Sequence, residues 1–233
     1  MTRMKLALNA LAPYERQAKK ARKIGDNEAE RQAILMCCIT WSTNVLKMFK
    51  ADVEVIGKEN LPEKGPVVFV GNHQGYGDIV LCLYAFNRFQ TGFLAKATLE
   101  KIPWYGKWIK EIRSIFIERD DSRASLKAIN EGIELLKQGF SLVVFPEGTR
   151  SKGPEIGEFR KGSLRLATKS GIPIIPFTIQ GTYRFFEEKE HVQKGVSMKM
   201  IIHPIVKTEG LSKTEIKELD NKIEAIVRSG MSL

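Results

Sequence analysis

From residue 53 onward the apolar positions alternate between two spacings. Short β-branched or aromatic runs bounded by Gly, Pro or Asn predict strands at 53–57, 66–70, 92–96, 114–118, 141–145, 172–180 and 197–203. Stretches of helical spacing fall at 78–87, 103–111, 123–138, 162–170 and 212–228. In 123–138 the apolar face is Leu126, Ile129, Ile133 and Leu136, and Gly139 closes the helix. The last helix opens on Ser212-Lys213-Thr214-Glu215, a capping box, and is expected to bury Ile216, Leu219, Ile223 and Val227. Strands alternating with helices predict an α/β fold, with a mostly parallel or mixed central sheet flanked by helices.

The first fifty residues follow another pattern. Met4, Leu8, Leu11, Tyr14, Ala18 and Ala21 lie near helical spacing, and Pro13 is expected to kink or split that helix. After the turn Gly25-Asp26-Asn27, residues 28–50 read as a second helix with an uncharged run from Gln32 to Leu46. That run covers about 22 Å at ~1.5 Å per residue, short of the ~30 Å hydrocarbon core, so it should not span a membrane. It is expected to lie in the interface or pack on the first helix, with a buried core helix as the other reading. The chain therefore divides into a two-helix element at 1–50 and an α/β domain at 51–233, without internal repeats or low-complexity segments.

Charge sharpens the picture of the first element. The chain of 233 residues carries a net +10, and residues 1–25 hold seven basic residues and one acid. An anionic membrane surface fits such a patch. Nucleic acid is disfavoured, because no zinc finger and no aromatic-studded basic strand accompanies it. The apolar core from Leu6 to Ala12 is short, is interrupted by Asn9 and lacks a cleavage site, so it is a poor signal peptide. Three cysteines, Cys37, Cys38 and Cys82, make no disulfide framework and imply a reducing compartment. His73, His191 and His203 are scattered, so no metal site is expected.

Candidate chemistry gathers where strands end. The strand at 66–70 runs into Gly71-Asn72-His73-Gln74-Gly75-Tyr76-Gly77-Asp78, with glycines that permit a tight turn and close approach to a ligand. Asp78 can hold one imidazole nitrogen of His73 protonated, leaving the other to accept a proton from a hydroxyl. Taken alone, the same residues also suit a packing His and a helix-start Asp. Arg113-Ser114-Ile115-Phe116-Ile117-Glu118-Arg119 is a strand that would deliver Arg119 beside His73, as ligands of open α/β sheets gather at strand carboxyl ends. Phe145-Pro146-Glu147-Gly148-Thr149-Arg150-Ser151 reads as a binding loop, running on to Phe159-Arg160-Lys161-Gly162-Ser163, expected to open a helix whose amides favour an anion. Ser163 stands where a P-loop needs lysine, and no Gly-x-Ser-x-Gly elbow exists, which excludes nucleotide triphosphates and disfavours a serine hydrolase.

These blocks, in this order, resemble the glycerolipid acyltransferase family, specifically the bacterial 1-acyl-sn-glycerol-3-phosphate acyltransferases. His73 and Asp78 match the family's first motif, and Ile115-Phe116-Ile117-Glu118-Arg119 the second. The block from Phe145 to Ser151 matches the third, and Ile174-Ile175-Pro176-Phe177 the fourth. The similarity covers roughly residues 50–210. One departure stands out: the second motif usually opens with glycine, and Arg113 occupies that place.

The resemblance implies transfer of a fatty acyl group from an acyl thioester to the 2-hydroxyl of lysophosphatidic acid, giving phosphatidic acid. The donor would be acyl carrier protein or coenzyme A as co-substrate, with no resident cofactor. His73 and Asp78 would be the catalytic pair. Arg119, Arg150 and Lys96 would hold the phosphate, and Glu147, Gly148 and Thr149 would shape the substrate loop. The protein is expected at the cytoplasmic face of the cell membrane, monotopic or peripheral. The motifs leave open glycerol-3-phosphate or another lysophospholipid as acceptor, and a non-catalytic peripheral lipid-binding protein. Cys82, in an apolar helix, is a weak candidate for a covalent nucleophile.

Overall fold

The structure, a computed structural model, describes residues 11–103, 105–118 and 121–232. Two helices, α1 (Ala12–Ile24) and α2 (Asn27–Met48), lead into seven strands. These are β1 (Asp52–Ile56), β2 (Val68–Gly71), β3 (Thr91–Lys96), β4 (Ile115–Ile117), β5 (Ser141–Val144), β6 (Ile174–Gln180) and β7 (Ser197–Ile202). Helix α3 (Gly77–Ala85) follows β2, and α4 (Tyr105–Glu111) precedes β4. Helices α5 (Ser122–Lys137), α6 (Arg165–Ser170) and α7 (Lys213–Ser229) complete the set. One sheet orders the strands β1-β7-β6-β2-β5-β3-β4. The five from β6 to β4 are mutually parallel, while β7 pairs antiparallel with β6 and parallel with β1. The sheet is therefore mixed, as the alternation of patterns predicts.

Every residue of β2 and β5 is buried. Covering both faces removes the need for polar alternation, which is why these strands read as unbroken apolar runs. Phe69 of β2 stacks on Phe86 at 3.8 Å between centroids, closing the centre of the core. The capping box at Ser212 and Glu215 forms as read, with each side chain bonded to the other residue's backbone. Two apolar positions were misplaced: Leu126 and Ile216 are exposed. Each lies in the first two turns of its helix.

The first two helices belong to the same core as the sheet. Pro13 lies in the first turn of α1, where its missing N–H costs nothing, while the part of the expected helix over residues 1–10, with Met4 and Leu8, lies outside the described residues. Helix α2 packs between α1 and α3 and buries Ala33, Ile34, Cys37, Cys38, Trp41, Val45 and Leu46. Of the positions left open for it, packing on α1 and into the core is the one observed. A buried carboxylate ties the pair to the sheet. Glu30 is fully buried and accepts from Arg22 Nε at 2.7 Å and from Arg113 Nε and Nη2 at 2.7 and 2.6 Å. Arg22 also reaches Glu111 at 2.9 Å, and the Arg113 guanidinium lies over Phe140. Arg113 has φ 66°, the left-handed region. That conformation explains why glycine suits this place, and the Glu30 ion pair offsets the strain that arginine carries there.

Arg16, Lys19, Lys20 and Lys23 point outward from α1. Among the described residues, no helix is long and apolar enough to cross a membrane.

Candidate active site

Strand β2 ends at Gly71, and its loop carries His73 to the carboxyl edge of the sheet before α3 begins at Gly77. His73 Nδ1 lies 2.5 Å from Asp78 Oδ2. The same carboxylate oxygen accepts from the backbone N–H of Gln74 at 2.7 Å and of Gly75 at 3.0 Å. Its other oxygen, Oδ1, accepts from the Thr182 hydroxyl. Asp78 is fully buried while the His73 ring remains partly open. Asp78 therefore does not cap its own helix. It folds back over the loop, and a carboxylate partner on Nδ1 sets the imidazole tautomer and leaves Nε2 for substrate.

A Cβ at Gly75 would stand 2.2 Å from Glu187 Oε2, so glycine there leaves room for that buried side chain.

The loop after β5 braces the first from beside it. Glu147 is turned inward: Oε1 accepts from His73 N–H at 2.6 Å and Oε2 from Gly157 N–H at 2.7 Å. Burial pushes its carboxyl up, and those two amides oppose the shift. Ser151 and Lys152 donate their N–H groups to the carbonyls of His73 and Gln74 at 2.8 and 3.1 Å. Phe145 stacks on the His73 ring at 4.1 Å, 12° from parallel. The backbone and ring of His73 are thus fixed on three sides.

A cleft of about 520 Å³ opens over this pair. His73, Lys96, Gly148, Thr149, Arg150 and Arg160 line it, together with Glu118. Arg150 Nη1 bonds Glu187 Oε1 at 2.8 Å, and its guanidinium lies 3.9 Å above the Tyr76 ring. Lys96 stands exposed at the end of β3. Gly148 has φ 74°, and a Cβ there would meet Arg160 Nε at 2.7 Å. Tyr76, Ile79 and Tyr105 are shared with a second, largely apolar groove of about 330 Å³, walled by Trp41, Val80, Trp108, Phe185 and Phe186. Arg119 lies outside the described residues.

One expected anion site does not form. Residues 161–164 are turn and not helix, α6 starts only at Arg165, and the Gly162 N–H is used by Asp220 at 2.9 Å. Cys82 is fully buried, and burial pushes its thiol well up, which leaves it inert.

Two site residues were missed from sequence, Thr182 and Glu187. Both follow β6, which pairs with β2, so their carboxyl ends are adjacent. Applying the strand-end rule to β6 as well as to β2 and β5 points to them.

Comparison with known proteins bears on this arrangement. The acyltransferase family model matches residues 52–180. A 1-acyl-sn-glycerol-3-phosphate acyltransferase of Borreliella burgdorferi is 32% identical over 180 residues, covering 76% of this chain and 72% of the relative. The enzyme of that name from Saccharomyces cerevisiae is 34% identical over 76% of this chain and 58% of its own length. The chloroplastic one from Arabidopsis thaliana is 34% identical over 70% of this chain and 45% of its own. The crystal structure of a 1-acyl-sn-glycerophosphate acyltransferase, PlsC, from Thermotoga maritima superposes with a TM-score of 0.75 at 28% identity. The match covers 98% of this chain and 96% of that one.

Proposed function

The chain belongs to the acyltransferase family, among its 1-acyl-sn-glycerol-3-phosphate acyltransferases, and we propose that it converts lysophosphatidic acid to phosphatidic acid with an acyl thioester as donor. One observation carries the reading. A His–Asp pair opens onto a cleft lined by the cationic side chains of Lys96, Arg150 and Arg160, and that cleft adjoins an apolar groove. An acceptor with a phosphate, a hydroxyl and an acyl chain needs those three surroundings in one place.

In this scheme His73 Nε2 takes the proton of the 2-hydroxyl as its oxygen attacks the thioester carbonyl. The new C–O bond forms, the C–S bond breaks, and the imidazolium returns the proton to the departing thiolate. General-base help of this kind is worth about 10²–10⁴-fold. Asp78 balances the imidazolium charge through Oδ2. Arg150 and Lys96 neutralise the acceptor phosphate, and the guanidinium fork of Arg150 can bond two phosphate oxygens at once. Arg119, the residue after Glu118 in the sequence, is assigned to the same task. The donor is acyl carrier protein or coenzyme A, and no other cofactor is invoked. The outward basic face of α1 supports work at an anionic membrane surface, peripherally and from the cytoplasmic side.

Purified protein tested for thiol release with acyl-coenzyme A and acyl carrier protein thioesters, against lysophosphatidic acid, glycerol-3-phosphate and monoacylglycerol, checks this. Lysophosphatidic acid should be preferred, and Arg150→Ala should raise its KM while leaving monoacylglycerol unaffected. Preference for glycerol-3-phosphate would overturn the acceptor assignment.

A further inference from the structure

Resting on that reading, we propose that residues 181–187 form a further functional block, in which Thr182 positions the catalytic carboxylate and Glu187 positions the phosphate-binding arginine.

Gly181, at φ 82°, turns the chain out of β6 into a 3₁₀ turn at Thr182–Phe185. Phe185 buries its ring in the core, and Glu187 N–H closes back on the Tyr183 carbonyl at 2.9 Å, so the segment is fixed at both ends. Thr182 is fully buried. A valine would fill the same space without burying a hydroxyl, so the hydroxyl needs a reason. It donates to Asp78 Oδ1 and lies 3.2 Å from Gln74 Oε1. Oδ1 is the oxygen that neither His73 nor the loop amides reach. Thr182 therefore fixes the rotation of the carboxylate plane, and with it the aim of Oδ2 at the imidazole.

Glu187 is an unusual neighbour for a phosphate site, because its charge opposes the ligand's. Its side chain is 3% exposed, with Oε1 accepting from Tyr76 N–H at 2.9 Å and from Arg150 Nη1 at 2.8 Å. Oε2 is buried without a hydrogen-bond partner. A carboxylate kept at that cost acts on geometry. It uses one nitrogen of Arg150, presses the guanidinium onto Tyr76 and leaves the remaining N–H donors of the fork for phosphate. In the acceptor the reacting hydroxyl and the phosphate sit on adjacent carbons, so base and arginine must be held at a fixed separation. One short segment bonded to both Asp78 and Arg150 does this.

Steady-state kinetics of the full chain, with an acyl thioester and either lysophosphatidic acid or monoacylglycerol, test both halves. Thr182→Val should lower kcat about 10- to 100-fold on both acceptors with KM little changed, the size of one hydrogen bond to a charged group. Thr182→Ser keeps the hydroxyl and should stay within about threefold of the parent. Thr182→Ala carries the same comparison if the valine variant fails to fold. Glu187→Gln should raise KM for lysophosphatidic acid about tenfold, leave kcat and monoacylglycerol kinetics in place, and add nothing when Arg150 is already alanine. Equal activity of the valine and serine variants would overturn the first assignment. Equal losses on both acceptors from Glu187→Gln would overturn the second. Failure of the underlying reading looks different, because then the unaltered chain would not prefer the phosphate-bearing acceptor.

Discussion

Replacing Asp78 by asparagine removes a charge while keeping nearly every hydrogen bond. Oδ2 accepts from His73, Gln74 and Gly75, and Oδ1 from the Thr182 hydroxyl. The asparagine carbonyl fits the first place. Its amide can donate to the Thr182 oxygen, whose own proton turns to Gln74 Oε1, 3.2 Å away. Stability should therefore change by less than about 1 kcal/mol, a small effect for a fully buried site. The imidazolium formed during transfer, in contrast, loses its counter-charge. Unit charges about 4 Å apart attract by about 4 kcal/mol at an effective dielectric near 20. With tenfold in rate for each ~1.4 kcal/mol, kcat should fall about 10³-fold. Thiol release at saturating acceptor measures the rate, and urea unfolding the stability. A variant within tenfold of the parent would refute charge balance by Asp78. A variant that unfolds would refute the claim that asparagine keeps the hydrogen bonds.

Glu147→Gln should cost about 1–3 kcal/mol, because both oxygens accept backbone N–H groups and an amide can serve only one of them; an unchanged urea midpoint would count against the brace. Charge reversal at Lys20 and Lys23 should weaken binding to anionic vesicles by about 1 kcal/mol per residue and leave neutral vesicles unaffected. Lys19 and Arg22 are left out of that test because both pair with Glu111, and Arg22 with Glu30 as well. Burial lowers the pKa of His203, whose Nε2 lies 2.8 Å from the Thr178 hydroxyl. Below about pH 6.5 the unfolded chain then binds the proton more readily than the native one, so stability falls on acidification by up to about 1.4 kcal/mol per pH unit. His203→Gln should flatten that slope just below about pH 6.5, and an unchanged slope would show that another group governs it.

The sequence carries the sheet well because buried strands and amphipathic helices leave different periodicities. All seven strands lie where the apolar runs predict them, within a few residues. His73 and Asp78 were legible because only four residues, two of them glycine, separate them and let them meet locally. Thr182 and Glu187 were not, since they meet Asp78 and Arg150 only through the pairing of β6 with β2, which no local pattern reveals. The helix expected from 162 starts only at Arg165, because Gly162 takes a left-handed φ of 77°, and Asp220, far along the chain on α7, takes its amide. Helix α2 showed an uncharged run without a clear face, because it is covered on several sides by α1, α3 and Trp108.

The Glu30–Arg113 pair sets how force passes through this molecule. A helix joined to its domain by a flexible leash can follow a lipid surface while the domain tumbles above it. Here α1 and α2 cannot swing away without stranding a buried charge on one side and a strained arginine on the other, a cost of about 3–5 kcal/mol. Arg113 lies two residues before β4, the strand that ends at Ile117, next to Glu118 on the rim of the cleft. A pull on the basic helix therefore reaches the mouth of the active site as a rotation of the whole body. The cleft keeps one fixed tilt to whatever surface the helix rests on.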